Sequence, residues 1–200
     1  MYLMHKGGLV ILILLCVGCS ATPSKMPDTT WYFQVAAPKH YDIWVQFMEF
    51  EKSGVSAWHQ APGFVSCCWV GEGGPRGPGG RLELFPNYVG VQWFSYAEQK
   101  IYQRLISIPP DWHNKMQNPA TYVTAKGRFE APRNILTFGL APGGRIVVWA
   151  KNQVGNEIEL ARLQANEIEG DSSKFEKASV NYFERNGDYL EKHGIPLEGW

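Results

Sequence analysis

The chain carries many aromatic residues in short runs of strand character, and this feature constrains its fold most. It contains eight Trp, nine Tyr and ten Phe in 200 residues. Each aromatic side chain buries a large apolar area, so most of them are expected to form the core of a β-rich domain. Five tryptophans in or beside the strand-like runs are expected to be structural: Trp44, Trp58, Trp69, Trp93 and Trp149.

Strand-like runs separated by turn residues follow one another along most of the chain. They cover residues 31–37, 43–50, 63–71, 88–94, 101–108, 135–140, 145–151 and 157–168. Ala141-Pro142-Gly143-Gly144 separates two of these runs and is a strong hairpin signal. Residues 71–81 hold six Gly and two Pro, a composition that indicates a surface loop rather than regular structure.

Helical signals are short until the end of the chain. Ser95 and Glu98 have capping-box spacing and predict a short helical turn, and residues 111–117 predict another after a Pro pair. Phe175, Ala178, Tyr182 and Phe183 fall at helical spacing, with a break expected at Asn186-Gly187 and a last short helix over 188–193. The pattern predicts a mainly β (α+β) fold: a single antiparallel β-sandwich or barrel-like domain with short helices and a helical C-terminus.

The first residues of the chain have the form of a bacterial lipoprotein signal. Residues 9–17 are an unbroken apolar run, preceded by His5 and Lys6 and followed by Gly18-Cys19-Ser20. The run is too short to span a bilayer. We therefore expect a signal peptide over 1–18, a lipid anchor on Cys19, a flexible tether over 19–30 and one globular domain over 31–200. The alternative is an ordinary secretory signal cleaved near Ala21.

The signal also predicts where in the cell the protein is located. Ser20, rather than Asp, follows the lipidated cysteine, a pattern that resembles the default outer-membrane destination of two-membrane bacteria. The expected location is therefore the cell envelope, with the domain held by lipid on the outer membrane and facing the periplasm. Acyl chains suit this role because each buried methylene contributes about 0.8 kcal/mol.

Charge and motifs exclude several function classes. Removal of Lys6 with the signal leaves 18 basic and 19 acidic residues, so no basic field would attract nucleic acid. The sequence has no HExxH, paired CxxC, GxSxG or P-loop pattern, and its histidines are scattered. We expect no catalytic residues, no cofactor and no metal, and hence no enzyme. Cys67 and Cys68 are adjacent in a strand-like run and are expected to point to opposite faces.

Three blocks resemble an uncharacterised bacterial lipoprotein family, catalogued as domain of unknown function 2931. They are GVQWFSYAEQKIY at 90–102 followed by Ile108-Pro109, FGLAPGGRIVVW at 138–149, and His193-Gly194-Ile195-Pro196 with Trp200. The resemblance implies no enzyme activity and no catalytic residues. Some family members are associated with secreted phospholipase toxins, which implies a protective role for such lipoproteins.

Three function classes follow from these features. The first is a non-catalytic lipoprotein that binds another protein. The most specific version of this class is an immunity protein that neutralises a toxin, namely a secreted phospholipase effector. The second is an envelope module that binds glycan or lipid, for which an aromatic-lined cleft is expected. The third is a hydrolase whose residues meet only in the fold. The candidate partner-binding surface comprises Trp112, Trp200, Arg76 and Arg81.

Overall fold

The computed structural model describes residues 29–66, 68–69 and 77–200. The predictions for the signal peptide, Cys19, Cys67 and Arg76 lie outside the described residues. In the described part the strands are β1 (Tyr32–Pro38), β2 (Ile43–Lys52), β3 (Ser56–Gln60), β4 (Gly63–Val65), β5 (Cys68–Trp69), β6 (Gly79–Arg81), β7 (Tyr88–Ser95), β8 (Lys100–Ser107), β9 (Pro119–Thr124), β10 (Gly127–Pro132), β11 (Ile135–Ala141), β12 (Arg145–Lys151), β13 (Ile158–Gln164) and β14 (Asn166–Ile168). The α-helices are α1 (Pro110–Gln117) and α2 (Glu176–His193), and 3-10 turns lie at Pro142–Gly144 and Ser173–Phe175.

The first sheet has the order β13-β12-β11-β1-β5, with β6 also paired to β1. The β11–β12 hairpin forms around Pro142–Gly144, which confirms the turn predicted there. β1 runs parallel to both β11 and β5, so this sheet is mixed where a purely antiparallel one was expected. The reason is that β1 pairs with β11 only after the chain has built the second sheet and returned, so no tight turn joins the two strands.

The second sheet has the order β14-β8-β7-β2-β3, with β4 also paired to β2, and all these pairings are antiparallel. Both sheet orders run from one edge strand to another without closing, so the sandwich alternative is the one observed in the described residues. The mainly β fold with a helical C-terminal segment is confirmed. A third, two-stranded sheet consists of β9 and β10, which sequence patterning does not predict.

One hydrophobic core lies between the two large sheets. Alternate residues of β1, β11 and β12 from the first sheet share this core with alternate residues of β2, β7 and β8 from the second. Phe33 of β1 lies 4.9 Å from Phe50 of β2, centroid to centroid, and so joins the sheets directly. The outer face of β12 is buried as well, including Trp149. The first sheet is therefore covered on both faces along this strand.

Helix α2 covers one end of the outer face of the second sheet. Phe175, just before the helix, stacks on Phe94 of β7 at 4.2 Å, and Tyr182 stacks on Tyr96 at 5.6 Å. The helix continues through Asn186-Gly187, where a break was predicted. It does so because Asn186 is buried in this interface, which stabilises the helical conformation there. None of the helices described here is long and apolar enough to cross a membrane.

Three further predictions need correction at the level of local structure. Residues 96–99 form the turn of the β7–β8 hairpin, not a helical turn, because Ser95 and Lys100 pair directly across the ladder. The run predicted as one strand over 63–71 splits into β4, which joins the second sheet, and β5, which joins the first. In the same way residues 157–168 form β13 and β14, one in each sheet. Chain segments that cross between sheets produce these splits.

Candidate functional site

Trp112 does not form part of an exposed contact surface, contrary to prediction. It lies on α1, where it is 4% exposed and belongs to the core between the sheets. Met116, one helical turn later, is buried beside it in the same cluster. The short helix is therefore amphipathic and places both side chains inward, since residues four apart share one face. The position of Trp112 after a Pro pair gave no indication of this packing.

Trp200 and Arg81 lie at opposite ends of β1. Arg81 is exposed and pairs with Tyr32, whereas Trp69 pairs with Pro38 at the other end of the strand. Trp200 is half-buried against Trp69, with ring centroids 6.0 Å apart. Six residue steps along a strand span about 20 Å. The predicted surface residues that the structure describes therefore do not form one patch.

Glu98 is the hydrogen-bonding centre of the most distinctive sequence block. Its carboxylate accepts hydrogen bonds from the Ser95 hydroxyl at 2.8 Å, the Tyr102 hydroxyl at 2.8 Å and the Gly143 backbone N–H at 2.9 Å. Burial, followed by the hydrogen bond to Glu98, raises the pKa of the Tyr102 phenol. The Ser95–Glu98 pairing was predicted, although as part of a helical turn. The bond to Gly143 was not predicted, and it joins the block at 90–102 to the block at 138–149.

A polar seam fixes α2 to the turn between β1 and β2. His40 has a positive φ of 73° in this turn, and its Nδ1 lies 3.0 Å from the Asn186 Oδ1. The Tyr182 hydroxyl donates to the His40 carbonyl oxygen at 2.7 Å. Tyr189 stacks between the rings of His40 and His193, at centroid distances of 3.8 and 4.4 Å. Two histidines that are far apart in sequence thus stack against one tyrosine.

Asp42 is the most perturbed carboxyl group of this seam. Its side chain is 7% exposed, and the Arg185 guanidinium lies 3.5 Å from it. Desolvation by burial raises the pKa of Asp42 to about 6, although Arg185 and His40 act in the opposite direction. A carboxyl group with such a pKa can exchange protons near neutral pH. Because Asp42 is enclosed under α2 and pairs with Arg185, its ionisation state affects how the helix docks.

An aromatic cleft opens at the outer face of the first sheet. It has a volume of about 530 Å³, and its lining includes Trp69, Trp149, Trp200, Glu157, Glu159 and Arg162. Trp149 is buried, as predicted, together with Trp58 and Trp93, but Trp69 is half-buried and Trp44 is exposed. The glycan-binding or lipid-binding class requires an aromatic-lined cleft of this kind.

A second candidate surface is the projecting hairpin formed by β9 and β10, which we call the arm (Pro119–Pro132). Most of its side chains are exposed. Val123 is 53% exposed and Phe129 is 43% exposed, and Phe129 pairs with Tyr122 across the ladder at 5.7 Å. Lys126 and Arg128 add positive charge near the turn of the hairpin. The arm therefore presents an aromatic pair on one face and an apolar and a basic side chain, Val123 and Arg128, on the other.

Side-chain amides from the β12–β13 loop hold the arm in place. Gln153 donates to the Val123 carbonyl at 2.8 Å and accepts from the Val123 N–H at 2.9 Å, as a neighbouring strand would do. Asn152 donates to the carbonyl oxygens of Ala120 at 3.1 Å and Ala131 at 2.8 Å. Asn156 donates to the Thr121 carbonyl at 2.8 Å. The amide-rich sequence of 152–156 was the only local signal for this anchoring, and it predicts a loop without indicating its target.

Metal ligands do not cluster in the described parts of the chain. Among residues 29–66, 68–69 and 77–200, no group of three or more His, Cys, Asp or Glu side chains could hold a metal ion.

Comparison with protein-family models identifies a family for most of the chain. The family model described as "Protein of unknown function (DUF2931)" matches residues 20–198. Searches of curated proteins and of solved structures give no match. The match covers the first two sequence blocks and residues 193–196 of the third, and it ends before Trp200. The hydrogen bond between Glu98 and Gly143 joins the first two blocks. The chain therefore belongs to this family of proteins of unknown function.

Proposed function

We propose that this chain is a lipid-anchored protein of the cell envelope whose folded domain binds another protein without catalysing a reaction. The observation that carries the proposal is the arm: an exposed aromatic and basic hairpin held rigidly by four side-chain amide contacts to Val123, Ala120 and Ala131. The anchor part of the proposal comes from the apolar run that ends at Gly18-Cys19.

The composition of the arm suits a protein interface. Aromatic residues and Arg are enriched at such interfaces, where a few of them supply most of the binding energy. Tyr122 and Phe129 form an aromatic pair on one face of the arm, and the next pair of the ladder, Val123 and Arg128, projects from its other face. Because the amide contacts order the arm before binding, less conformational entropy is lost when a partner docks. The arm is therefore suited to bind a complementary protein surface.

The polar residues that stand out in the sequence form hydrogen bonds inside the fold. This leaves the exposed arm, rather than a cluster of polar side chains, as the surface that we propose for binding. Glu98, Tyr102 and Ser95 bond to one another, and His40, Tyr182 and Asn186 fix α2. These hydrogen bonds connect secondary-structure elements to one another. The partner that we propose is a secreted toxin, in keeping with the association of some family members with phospholipase effectors. The basic groups Lys126 and Arg128 favour an acidic surface on that partner.

The proposal is tested by affinity purification of the tagged full chain from envelopes of the native bacterium. The arm variant Tyr122→Ser/Phe129→Ser is compared with the matched control Val180→Ser, which removes an exposed apolar side chain from α2. We expect one protein to co-purify at a 1:1 ratio with the wild type and the control. We expect its recovery to fall at least ~10-fold with the arm variant, because hot-spot truncations cost about 2 kcal/mol or more.

Two outcomes would contradict the proposal. One is recovery of the same partner by the arm variant at wild-type yield, which would move the interface elsewhere. The other is recovery of no protein partner by the wild type. Far-UV circular dichroism checks that both variants are folded. We expect their spectra to match that of the wild type, because the substituted side chains are exposed.

A further inference from the structure

We propose that the cleft lined by Trp69, Trp149 and Trp200 binds an uncharged saccharide of one or two rings. A volume of about 530 Å³ lies within the range of small-molecule sites, roughly 300–1,000 Å³. This inference concerns a surface other than the arm and does not depend on the protein-binding proposal.

Three indole rings at different inclinations line the cleft. Trp149 is 3% exposed and forms the floor, and the half-buried Trp69 meets it edge to face at 5.0 Å and 83°. Trp200 lies 6.0 Å from Trp69 with its plane inclined by 51°. Such rings offer rigid apolar faces of large area, to which the C–H face of a sugar ring is complementary. A flexible or fully apolar ligand could bind without three indole rings held at fixed inclinations.

The backbone leaves room for this arrangement at one glycine of β11. A Cβ atom at Gly139 would lie 2.6 Å from the Trp149 ring and 2.9 Å from the Trp69 ring, closer than real Cβ contacts. Only a residue without a side chain therefore allows both indoles to pack here. The floor of the cleft is fixed by the strand beneath it, as pre-organised binding requires.

Polar groups surround the indoles and are held in place before any ligand arrives. Glu159 forms a bidentate pair with Arg162, with both N–O distances 2.8 Å, and Arg162 also donates to the Trp200 backbone oxygen. Both oxygens of Glu157 accept from the Gly155 N–H at 2.9 Å. An ionised carboxylate has about four acceptor sites, so both side chains keep capacity for sugar hydroxyl groups.

The charges at the cleft disfavour an anionic ligand. Glu159 and Arg162 neutralise each other in their bidentate pair, and Glu157 leaves one negative charge in the lining. An anion therefore gains no net electrostatic attraction at this cleft. Hydroxyl groups, which use both acceptors and donors, match this set best.

The test is a titration of the full chain in a polyoxyethylene detergent, which has no sugar headgroup. Chitobiose, cellobiose and maltose are the probes, and choline and glucuronate are the charged comparisons. Tryptophan fluorescence and isothermal calorimetry report binding. We expect saturable binding of at least one disaccharide, weakened at least ~10-fold by Trp200→Ala and by Glu157→Gln. Trp44→Ala removes an exposed indole outside the cleft and should leave the affinity within about two-fold.

Three results would overturn the inference. The first is the absence of heat and fluorescence changes with all three disaccharides. The second is disaccharide binding that Trp200→Ala and Glu157→Gln both leave unchanged. The third is tighter binding of choline or glucuronate than of any disaccharide, which would show that the cleft selects for charge. Because Glu157→Gln preserves size and leaves the indoles intact, its result does not depend on the packing of Trp200.

Discussion

Among single residues, Glu98 has a large structural role. The sequence predicted only one part of this role, the pairing with Ser95. One carboxylate satisfies two hydroxyl groups and one backbone N–H from three segments of chain. The backbone N–H belongs to Gly143, where φ is +73° and a Cβ atom would lie 2.6 Å from the Leu197 carbonyl oxygen. The tight turn after β11 is thus fixed from two sides, by Glu98 and by the segment that follows α2.

We therefore predict that Glu98→Ala lowers the free energy of unfolding by about 2–4 kcal/mol, because hydrogen bonds to a charged acceptor are lost and their donors remain partly buried. Urea denaturation measures the effect as a lower midpoint with an unchanged slope. Glu167→Ala is the control, since it removes an exposed ion pair with Lys100 and should cost under about 1 kcal/mol. Equal losses in the two variants would show that Glu98 is an ordinary surface carboxylate.

Trp112 shows why exposure is hard to predict one residue at a time. Its neighbours Pro110 and Asp111 are typical of a surface turn, and this pattern favoured an exposed indole. The ring nevertheless lies in the core because α1 packs against residues that are distant in sequence. Burial depends on such distant contacts, which local patterning does not contain. The structural role expected of Trp93 and Trp149 is confirmed, because each lies in a strand whose face on that side is covered by other elements.

At the scale of elements, alternation and turn residues predicted most strands but not their partners. The runs at 43–50, 88–94 and 145–151 correspond closely to β2, β7 and β12. The parallel pairing of β1 with β11 joins Tyr32 to Ile135, about 100 residues apart, and no local turn signal specifies it. The arm was missed for a similar reason, because amides of a separate loop hold it. The three tryptophans of the cleft likewise come from β5, β12 and the segment after α2.

The docking of α2 onto the β1–β2 turn should depend on pH through Asp42. Its pKa of about 6 in the folded state lies above the ordinary value of 3.8 because burial disfavours the charged form. The folded state then holds the proton more tightly than the unfolded chain does, so stability decreases as the pH rises from about 4 to about 6. Above that window the buried charge costs stability.

We expect Asp42→Asn to remove this pH dependence and to raise the free energy of unfolding at neutral pH by about 1–2 kcal/mol. The exposed Arg185 loses its partner in this variant, which costs little. Urea unfolding at pH about 4 and about 7 provides the measurement, and Asp188→Asn, an exposed site on the same helix, should retain the wild-type slope. A fall in neutral-pH stability for Asp42→Asn would mean that the ion pair outweighs the cost of burial.

At the scale of the whole molecule, the two ends of β1 separate the two candidate binding surfaces. At its first end the Tyr32 N–H donates to the Asn134 carbonyl oxygen, and the Asn134 side chain donates to Thr30, so the chain enters the fold at the base of the arm. At its other end Pro38 and Trp69 border the aromatic cleft. A tether of ten residues reaches about 30 Å when extended. This reach exceeds the separation of about 20 Å between the two ends of β1, so an anchor at Cys19 would let either surface face a partner.

The proposed lipid anchor is tested by substitution of the cysteine that would carry it. Cys19→Ala should move the protein from the outer-membrane fraction to soluble protein or uncleaved precursor, because the thiol that would carry the acyl chains is absent. Incorporation of labelled palmitate should be lost in parallel. Cys16→Ala is the matched control: it removes a thiol from the same apolar run, but Leu15 before it is too large for the cleavage position, so fractionation and labelling should stay unchanged. If the Cys19 variant still fractionates with the outer membrane, lipid attachment at this residue is not what holds the protein there.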